Sequence, residues 1–384
     1  MPSGVAPLQD SIEQMIPVTR PLLPPLQEFL PYLEQIWASG RLSNNGPFHE
    51  QLEQALARFL GVPFLSLFNN GTTALITALK ALGIQDEVIT TPYTFVATAH
   101  SLVWNRLTPV FVDIDPHTFN INPARIEAAI TDKTTAIMPV HCYGRPCDVE
   151  AIKAIADKHG LKVLYDAAHA FGVRDDGGSI LRHGDLSVLS LHATKVFNTF
   201  EGGAIISPDE ATKRHIDQLR NFGFIDEVTV ETVGINGKMS EINAAFGLVQ
   251  LQHVERALKR RQEIDLLYRE LLADIDGIAC RPEAVNYSAN FSYFPILVNE
   301  RYPLARDALY EALKAQGIYA RRYFYPLLTD LAIYKDTVRT FPVPVARQTA
   351  AQVICLPIYP DLQQADIKRV AHVIRTNASR RTVA

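Results

Sequence analysis

Between residues 64 and 207, short apolar segments alternate with segments whose apolar residues recur every three or four positions. The apolar segments predict strands at 64–68, 87–91, 109–113, 136–140, 161–165, 186–191 and 204–207. The segments between them predict helices, among them 72–82 and one that Asp148 caps and Gly160 ends. Strands that are apolar on both faces and alternate with helices are typical of a mostly parallel α/β sheet.

The pattern changes after Ser240. Residues 240–275 predict one long helix, apolar in its first half and charged in its second, that leaves one domain and enters another. A strand at 293–298, a helix at 303–316 and a strand at 353–357 follow. We therefore expect a large domain over 1–255 and a smaller α+β domain over 256–384. The proline-rich residues 1–31 are expected to form an extended arm that packs on the smaller domain.

Composition and charge exclude several classes of protein. The chain has 37 Lys and Arg against 41 Asp and Glu, a net charge of −4, which argues against a nucleic-acid or anionic-membrane partner. Its 4 cysteines are too few for a disulfide scaffold and favour a reducing, cytoplasmic location. We see no apolar run long enough to cross a bilayer and no secretory signal. A soluble cytoplasmic enzyme is the expectation that remains.

Common nucleotide and metal motifs are missing from the sequence. No GxGxxG follows a predicted strand, and Gly234–Met239 lacks the spacing and the Ser/Thr of a P-loop. His141, Cys142 and Cys147 are close in sequence, but no second pair completes a zinc site. We therefore predict no metal ligands.

Three polar motifs each follow a predicted strand: 69–75 (NNGTTAL), 166–169 (DAAH) and 190–195 (SLHATK). Taken singly, each has an ordinary explanation, namely a capped turn, a helix cap and a surface lysine. Together with the aromatic segment 92–95, they supply what pyridoxal phosphate needs. A lysine binds it covalently, an acid keeps its pyridine nitrogen protonated, an aromatic ring stacks on it, and a helix start holds its phosphate.

The sequence is similar to the DegT/DnrJ/EryC1/StrS sugar aminotransferases, a family of fold-type-I pyridoxal-phosphate enzymes. The similarity covers nearly the whole chain and rests on ordered segments that include RLSNNGPFHEQLE, NGTTALITALKALG, EVITTPYTFVAT, YDAAHAFG, SLHATKVFNTFEGGAII and GINGKMSEINAAFGLVQL. It implies a large domain with a mostly parallel seven-stranded sheet and a smaller α+β C-terminal domain.

The resemblance also implies roles for individual residues. Lys195 would be the Schiff-base lysine, Asp166 the partner of the pyridine nitrogen, and His169 a neighbour of the cofactor ring. Further cofactor contacts are expected from Gly71, Thr72, Thr73, Phe95 and Ser190. Asn236 would reach the phosphate bound by a second copy of the chain, so a homodimer with shared active sites is expected.

Some relatives act as dehydratases and have a histidine at the position of Lys195. Because this chain has the lysine, the resemblance implies transamination. His192 and Glu201 resemble the relatives that aminate C4 of the sugar. L-Glutamate is the expected donor, and a dTDP-linked 4-keto-6-deoxyhexose for surface polysaccharide synthesis is the expected acceptor. The candidate substrate-binding residues are Asn45, His192, Glu201, Arg321, Arg322, Tyr323 and Tyr325, although a solvated loop explains the last four nearly as well. A GDP- or UDP-linked substrate, a 3-keto sugar or a catalytically silent regulator remain alternatives.

Overall fold

The structure is a computed structural model that describes residues 15–43, 45–335 and 337–379 of the chain. Its strands are β1 (Ile16–Pro17), β2 (Phe64–Phe68), β3 (Glu87–Thr90), β4 (Thr108–Phe111), β5 (Thr134–Ile137), β6 (Lys162–Asp166), β7 (Arg174–Asp175), β8 (Gly178–Ser179), β9 (Leu186–Ser190), β10 (Gly203–Ser207), β11 (Ile278–Cys280), β12 (Tyr287–Ser288), β13 (Phe294–Val298), β14 (Ile318–Tyr319), β15 (Arg339–Thr340) and β16 (Val353–Leu356). Its α-helices are α1 (Leu26–Ser39), α2 (Pro47–Leu60), α3 (Gly71–Ala81), α4 (Val96–Trp104), α5 (Pro123–Ile126), α6 (Val149–His159), α7 (Glu210–Leu219), α8 (Glu241–Leu251), α9 (Val254–Leu272), α10 (Arg306–Ala315), α11 (Pro344–Gln352) and α12 (Gln364–Ala378).

The central sheet has the strand order β15-β4-β3-β5-β6-β9-β10-β2. β10 pairs antiparallel with β9 and β2, and the remaining pairs are parallel. This confirms the mostly parallel α/β fold, with seven strands from residues 64–207. The short β15 adds an eighth strand at the edge, where Arg339 and Thr340 pair with Val110 and Phe111. An added strand of this kind covers the unpaired backbone groups of an edge.

Helices cover both faces of the sheet, which explains the continuous apolar segments of the sequence. Val188 of β9 packs in the core beneath α3, whereas the next residue, Leu189, packs in the core formed with α2 and α8. Successive side chains of a strand point to opposite faces, so both must be apolar when both faces are buried. β9 is therefore held firmly from two sides, and the residues that follow it are held with it.

The C-terminal region, residues 256–379, has its own core around the antiparallel sheet β11-β13-β16. The N-terminal strand joins this region, because Ile16 pairs with Ile318 of β14 and lies in the same core. The expected boundary at residue 255 stays a prediction. Residues 1–14 of the expected arm lie outside the described residues.

The prediction of an extended arm is wrong for residues 26–31, which form the start of α1. Pro31 lies inside this helix and cannot donate a backbone hydrogen bond. Burial of one helix face outweighs that loss: Phe29 and Ile36 are buried, and the Phe29 ring lies 5.5 Å from the Phe246 ring of α8 in an edge-to-face arrangement.

The prediction of a single helix over 240–275 is also wrong, because α8 ends at Leu251 and α9 begins at Val254. The break coincides with contacts to the N-terminal segment. The His253 ring nitrogen lies 2.6 Å from a carboxylate oxygen of Glu28, and the Gln250 side chain donates to the carbonyl of Leu22. Among the described residues, no helix has the length and apolar character needed to cross a membrane.

Candidate active site

Four parallel strands end at the same edge of the central sheet, and polar residues follow each of them. β2, β3, β6 and β9 lead into these residues, which line a cavity of about 300 Å³. The predicted site residues that line it are Gly71, Thr72, Phe95, Asp166, His169, Ser190, His192, Lys195, Glu201 and Tyr323. The three motifs that looked ordinary one by one therefore meet at one cavity, at the edge where parallel sheets bind ligands.

The N-terminus of α3 forms one side of the cavity. The Asn70 side chain caps the helix by accepting from the Thr73 amide at 2.8 Å, and the Thr73 hydroxyl donates to the Asn70 carbonyl at 3.0 Å. A Cβ atom added to Gly71 would lie 3.2 Å from Cβ of Ser190, so glycine keeps this corner open. The first amides of a helix have no acceptor within the helix and carry the positive end of its dipole. This corner therefore suits a phosphate group.

Asp166 presents a positioned carboxylate to the cavity. One oxygen accepts from the Thr98 hydroxyl at 2.7 Å, and the other accepts from the Ala168 amide at 3.1 Å. Burial raises the pKa of Asp166, while these two hydrogen bonds and the nearby charge of Lys195 oppose the rise. A carboxylate held in this way is suited to pair with a protonated ring nitrogen.

Lys195 follows β9 after a turn in which its amide donates to the carbonyl of His192 at 2.9 Å. Its side chain is half-buried and lines the cavity. Burial lowers its pKa to about 8, although the charge of Asp166 acts in the opposite direction. At pH 7 about a tenth of the amine is then uncharged, compared with less than about a thousandth for an ordinary lysine. This amine can act as a nucleophile and as a base.

Aromatic side chains form the walls of the cavity. The buried His169 ring is stacked on Phe324, with ring centres 6.0 Å apart, and its Nδ1 accepts from the Tyr143 amide at 3.2 Å. Burial lowers the pKa of His169 well below its usual value, so its ring is neutral. Phe95 is 57% exposed, which leaves its ring free to stack on a bound planar group.

His192 and Glu201 lie together at the open side of the cavity. Their side chains approach to 3.5 Å, between Nε2 of His192 and Oε1 of Glu201. Glu201 is exposed and His192 is partly exposed, and Tyr323 lines the cavity with them. These polar groups can contact a substrate that enters from solvent.

Six predicted residues do not line the cavity of their own chain, namely Asn45, Thr73, Asn236, Arg321, Arg322 and Tyr325. The exposed Asn236 side chain accepts from Lys238 at 2.9 Å. The Tyr325 ring packs against the guanidinium groups of Arg306 and Arg322. Their roles stay predictions.

Sequence reasoning missed Thr98, Tyr143, Tyr293 and Phe324. Thr98 follows Thr94 by four residues, and their hydroxyls lie 2.9 Å apart near the start of α4. Thr94 lies before α4, so the spacing of the two threonines gave no helix-face signal in the sequence. Tyr293 lies 98 residues beyond Lys195, yet its hydroxyl is 3.5 Å from the lysine amine. The sequence offered no signal for this contact.

The residues present fit pyridoxal phosphate. The open corner at Gly71, the buried carboxylate of Asp166 and the half-buried amine of Lys195 border one cavity, and they supply partners for the phosphate, the ring nitrogen and the aldehyde of the cofactor. Within the part of the chain that the structure describes, no group of three or more His, Cys, Asp or Glu residues is placed to hold a metal ion.

Comparisons with known proteins agree with this chemistry. Residues 26–375 match the model of the DegT/DnrJ/EryC1/StrS aminotransferase family. The chain is 58% identical over 364 residues to the dTDP-4-amino-4,6-dideoxy-D-glucose transaminase of Shigella dysenteriae, covering 95% of this chain and 99% of that protein.

Solved structures are similar in fold as well as in sequence. DesI, determined in the presence of its TDP-sugar product, superimposes with a TM-score of 0.92 at 37% identity, over 96% of this chain and 94% of DesI. NtdA from Bacillus subtilis, with bound cofactor PMP, superimposes with a TM-score of 0.84 at 28% identity, over 92% of this chain and 82% of NtdA. The chain belongs to the DegT/DnrJ/EryC1/StrS aminotransferase family and is a pyridoxal-phosphate-dependent sugar aminotransferase.

Proposed function

We propose that this enzyme transfers the amino group of L-glutamate to C4 of dTDP-4-keto-6-deoxy-D-glucose and so forms dTDP-4-amino-4,6-dideoxy-D-glucose. The observation that carries the proposal is the amine of Lys195 and the carboxylate of Asp166 on one cavity, with His192 and Glu201 at its open side. The high identity to a transaminase of that name supports the choice of sugar and nucleotide.

In this proposal Lys195 performs the proton chemistry. When bound, the cofactor provides a ring that accepts the electron pair released at the reacting carbon. The Lys195 amine would hold the cofactor covalently and, when free, would carry the proton at the reacting carbon. Its pKa of about 8 suits both tasks near neutral pH, because a base works best when its pKa is close to the working pH.

The other cavity residues hold the cofactor. Asp166, which accepts from Thr98, would pair with the ring nitrogen and keep it protonated. Phe95 and His169 would contact the cofactor ring. The amides at the start of α3, with the hydroxyls of Thr72 and Ser190, would bind the phosphate.

The substrate is bound by the open side of the cavity. His192, Glu201 and Tyr323 contact the sugar, and the segment 321–325 offers cationic and aromatic groups to the nucleotide diphosphate. The Arg321 guanidinium makes no ion pair with another of the described side chains, which leaves it available for a phosphate.

We further propose that the enzyme is a homodimer whose subunits share their active sites. The segment 221–236 exposes a group of apolar side chains: Phe222, Phe224, Ile225, Val228, Val230, Val233 and Ile235. Contiguous exposed apolar groups of this kind mark surfaces that other chains cover. Asn236 lies in the same segment and outside its own cavity, so this surface would bring it to the partner's cofactor.

The test is a transamination assay with a panel of substrates. Purified enzyme is incubated with L-glutamate and dTDP-, GDP- or UDP-linked 4-keto-6-deoxyhexoses, or with a 3-keto sugar, and the product is identified by NMR. The dTDP-4-keto substrate should react fastest and give a 4-amino sugar. Faster reaction of another nucleotide or of a 3-keto sugar would overturn the substrate assignment. No bleaching of the cofactor absorbance by glutamate would overturn the donor.

A further inference from the structure

Tyr293 brings the C-terminal region into contact with the proposed catalytic lysine. It comes directly before β13, in the C-terminal sheet, and its hydroxyl lies 3.5 Å from Nζ of Lys195. Among the side chains that the structure describes, Tyr293 is the hydrogen-bond partner recorded for this amine.

Close packing fixes the Tyr293 ring. Its centre lies 4.8 Å from that of His169, 5.4 Å from that of Tyr143 and 5.8 Å from that of Tyr323, to which it is nearly perpendicular. The hydroxyl therefore has little freedom to move away from Lys195. Burial raises the pKa of Tyr293 well above its usual value, so the group stays a neutral phenol that can both accept and donate a hydrogen bond.

The residues before Tyr293 are anchored to the loop that carries Asp166 and His169. The buried Asn290 side chain donates to the carbonyl of His169 at 2.7 Å and to that of Phe171 at 3.0 Å. The Ser292 hydroxyl donates to the carbonyl of Tyr143 at 3.1 Å. The backbone of this segment is thus fixed relative to the loop after β6.

Gly144 is required for this anchoring. A Cβ atom there would lie 2.6 Å from the side-chain oxygen of Asn290 and 2.7 Å from the carbonyl of His169. Gly144 also has a φ of 77°, a conformation that other residues rarely adopt. The backbone of Gly144, the side-chain amide of Asn290 and the hydroxyl of Ser292 therefore all help to hold Tyr293 in place.

We propose that Tyr293 is a positioning residue for Lys195: its hydroxyl holds the lysine amine over the cavity whenever that amine is not joined to the cofactor. The proposal rests on the proposed role of Lys195. Because the amine must return to the same place in each half-reaction, loss of the hydroxyl slows proton movement without weakening substrate binding.

The first test measures the lysine itself in the cofactor-free full-length enzyme. Amines are labelled with acetic anhydride between about pH 6 and pH 11, and labelling of the Lys195 peptide is followed by mass spectrometry. Tyr293→Phe keeps the ring and removes the acceptor of the protonated amine. The apparent pKa of Lys195 should therefore fall by about one unit relative to the unsubstituted enzyme.

The matched control is Tyr268→Phe. This tyrosine is buried in the same region, its ring lies 4.9 Å from that of Phe294, and its hydroxyl has no hydrogen-bond partner among the described residues. The substitution removes the same hydroxyl near the same strand without touching Lys195. It should leave the Lys195 titration and the steady-state constants unchanged.

The second test separates positioning from binding. In the holoenzyme, Tyr293→Phe should lower kcat about tenfold and change KM for glutamate and for the nucleotide sugar less than about twofold. An unchanged Lys195 titration overturns the proposal, and so does an effect confined to KM. The proposed role of Lys195 has its own test. Reduction of the holoenzyme with borohydride should leave the cofactor covalently bound to the peptide that contains Lys195. That result does not depend on the outcome for Tyr293→Phe.

Discussion

The two halves of the cavity are constructed differently. On the proposed cofactor side, Asp166 ends β6 and His169 follows it, and both are buried and have protein hydrogen-bond partners. On the proposed substrate side, the side chains of Glu201 and His192 are 60% and 44% exposed, and both residues lie in loops. The same cavity thus combines a rigid half with an adaptable one.

This difference suggests that the rigid half carries out the chemistry and that the adaptable half selects the substrate. Groups that act on the reacting atoms need fixed positions, and a doubly covered sheet provides them. Groups that select a sugar or a nucleotide can vary on loops without disturbing the core. Substitutions on the cofactor side should therefore lower kcat, whereas substitutions on the substrate side should raise KM.

Lys195→Ala should have the largest effect. Loss of the amine removes both the covalent attachment and the base, so turnover should fall by at least about four orders of magnitude while the thermal unfolding temperature stays close to that of the unsubstituted enzyme. The measurement is product formation by NMR alongside a melting curve. Substantial remaining transamination would contradict the role of Lys195.

Asp166→Asn should come next. A neutral amide cannot hold a proton on the ring nitrogen, so kcat should fall by about 10²–10³-fold while the protein stays folded and binds the cofactor. Thr98→Val is the companion variant, because it removes one of the two hydrogen bonds that orient the carboxylate. It should show a smaller loss of the same kind. A near-normal rate for Asp166→Asn would mean that the residue only caps a turn.

Asn236→Ala tests whether the rigid half is completed by a second chain. If Asn236 binds the partner's cofactor phosphate, its loss should weaken cofactor binding about tenfold. Mixing Asn236→Ala with Lys195→Ala chains should then restore activity at limiting cofactor. One site of each mixed dimer carries both substitutions and the other carries neither, so the mixture should reach roughly a quarter of full activity per subunit. No recovery, despite demonstrated subunit exchange, would place Asn236 at its own chain's site.

Arg321→Ala should have the smallest effect on activity of these substitutions, and it should change only the binding of the nucleotide sugar. If Arg321 contacts the diphosphate as proposed, its loss should raise KM for the nucleotide sugar several-fold and leave kcat and KM for glutamate almost unchanged. Arg322→Ala is the comparison variant, because the Arg322 guanidinium already pairs with Asp307 at 2.7 Å and packs on Tyr310. Equal effects of the two substitutions would argue against a specific phosphate contact at Arg321.

The rigid half was also the predictable half. Asp166 and Lys195 could be identified because each follows an apolar strand, and parallel strands bring their carboxyl ends to one edge. The alternation of apolar segments likewise located the seven strands that residues 64–207 contribute to the central sheet, although it did not predict the short β7 and β8. The local sequence pattern was therefore sufficient to predict the site residues at the ends of the central strands.

Contacts between distant segments could not be predicted in this way. Thr98 reaches Asp166 across 68 residues, and Tyr293 reaches Lys195 across 98. The break between α8 and α9 has the same origin, since no glycine or proline marks it and the partner of His253 is Glu28, far earlier in the chain. Tertiary packing decides such features, and no periodicity within a single segment encodes them.

The pairing of Ile16 with Ile318 sets an order of events during synthesis. Residues 64–207, which supply seven strands of the central sheet, leave the ribosome long before β14 exists. At about 5–20 residues per second, the first strand waits roughly 15–60 s for its partner. Tyr323 and Phe324 emerge immediately afterwards and complete the cavity wall. A nascent chain halted before β14 would therefore expose the central sheet without its edge strand β15 and with an open site, a species prone to aggregation until translation resumes.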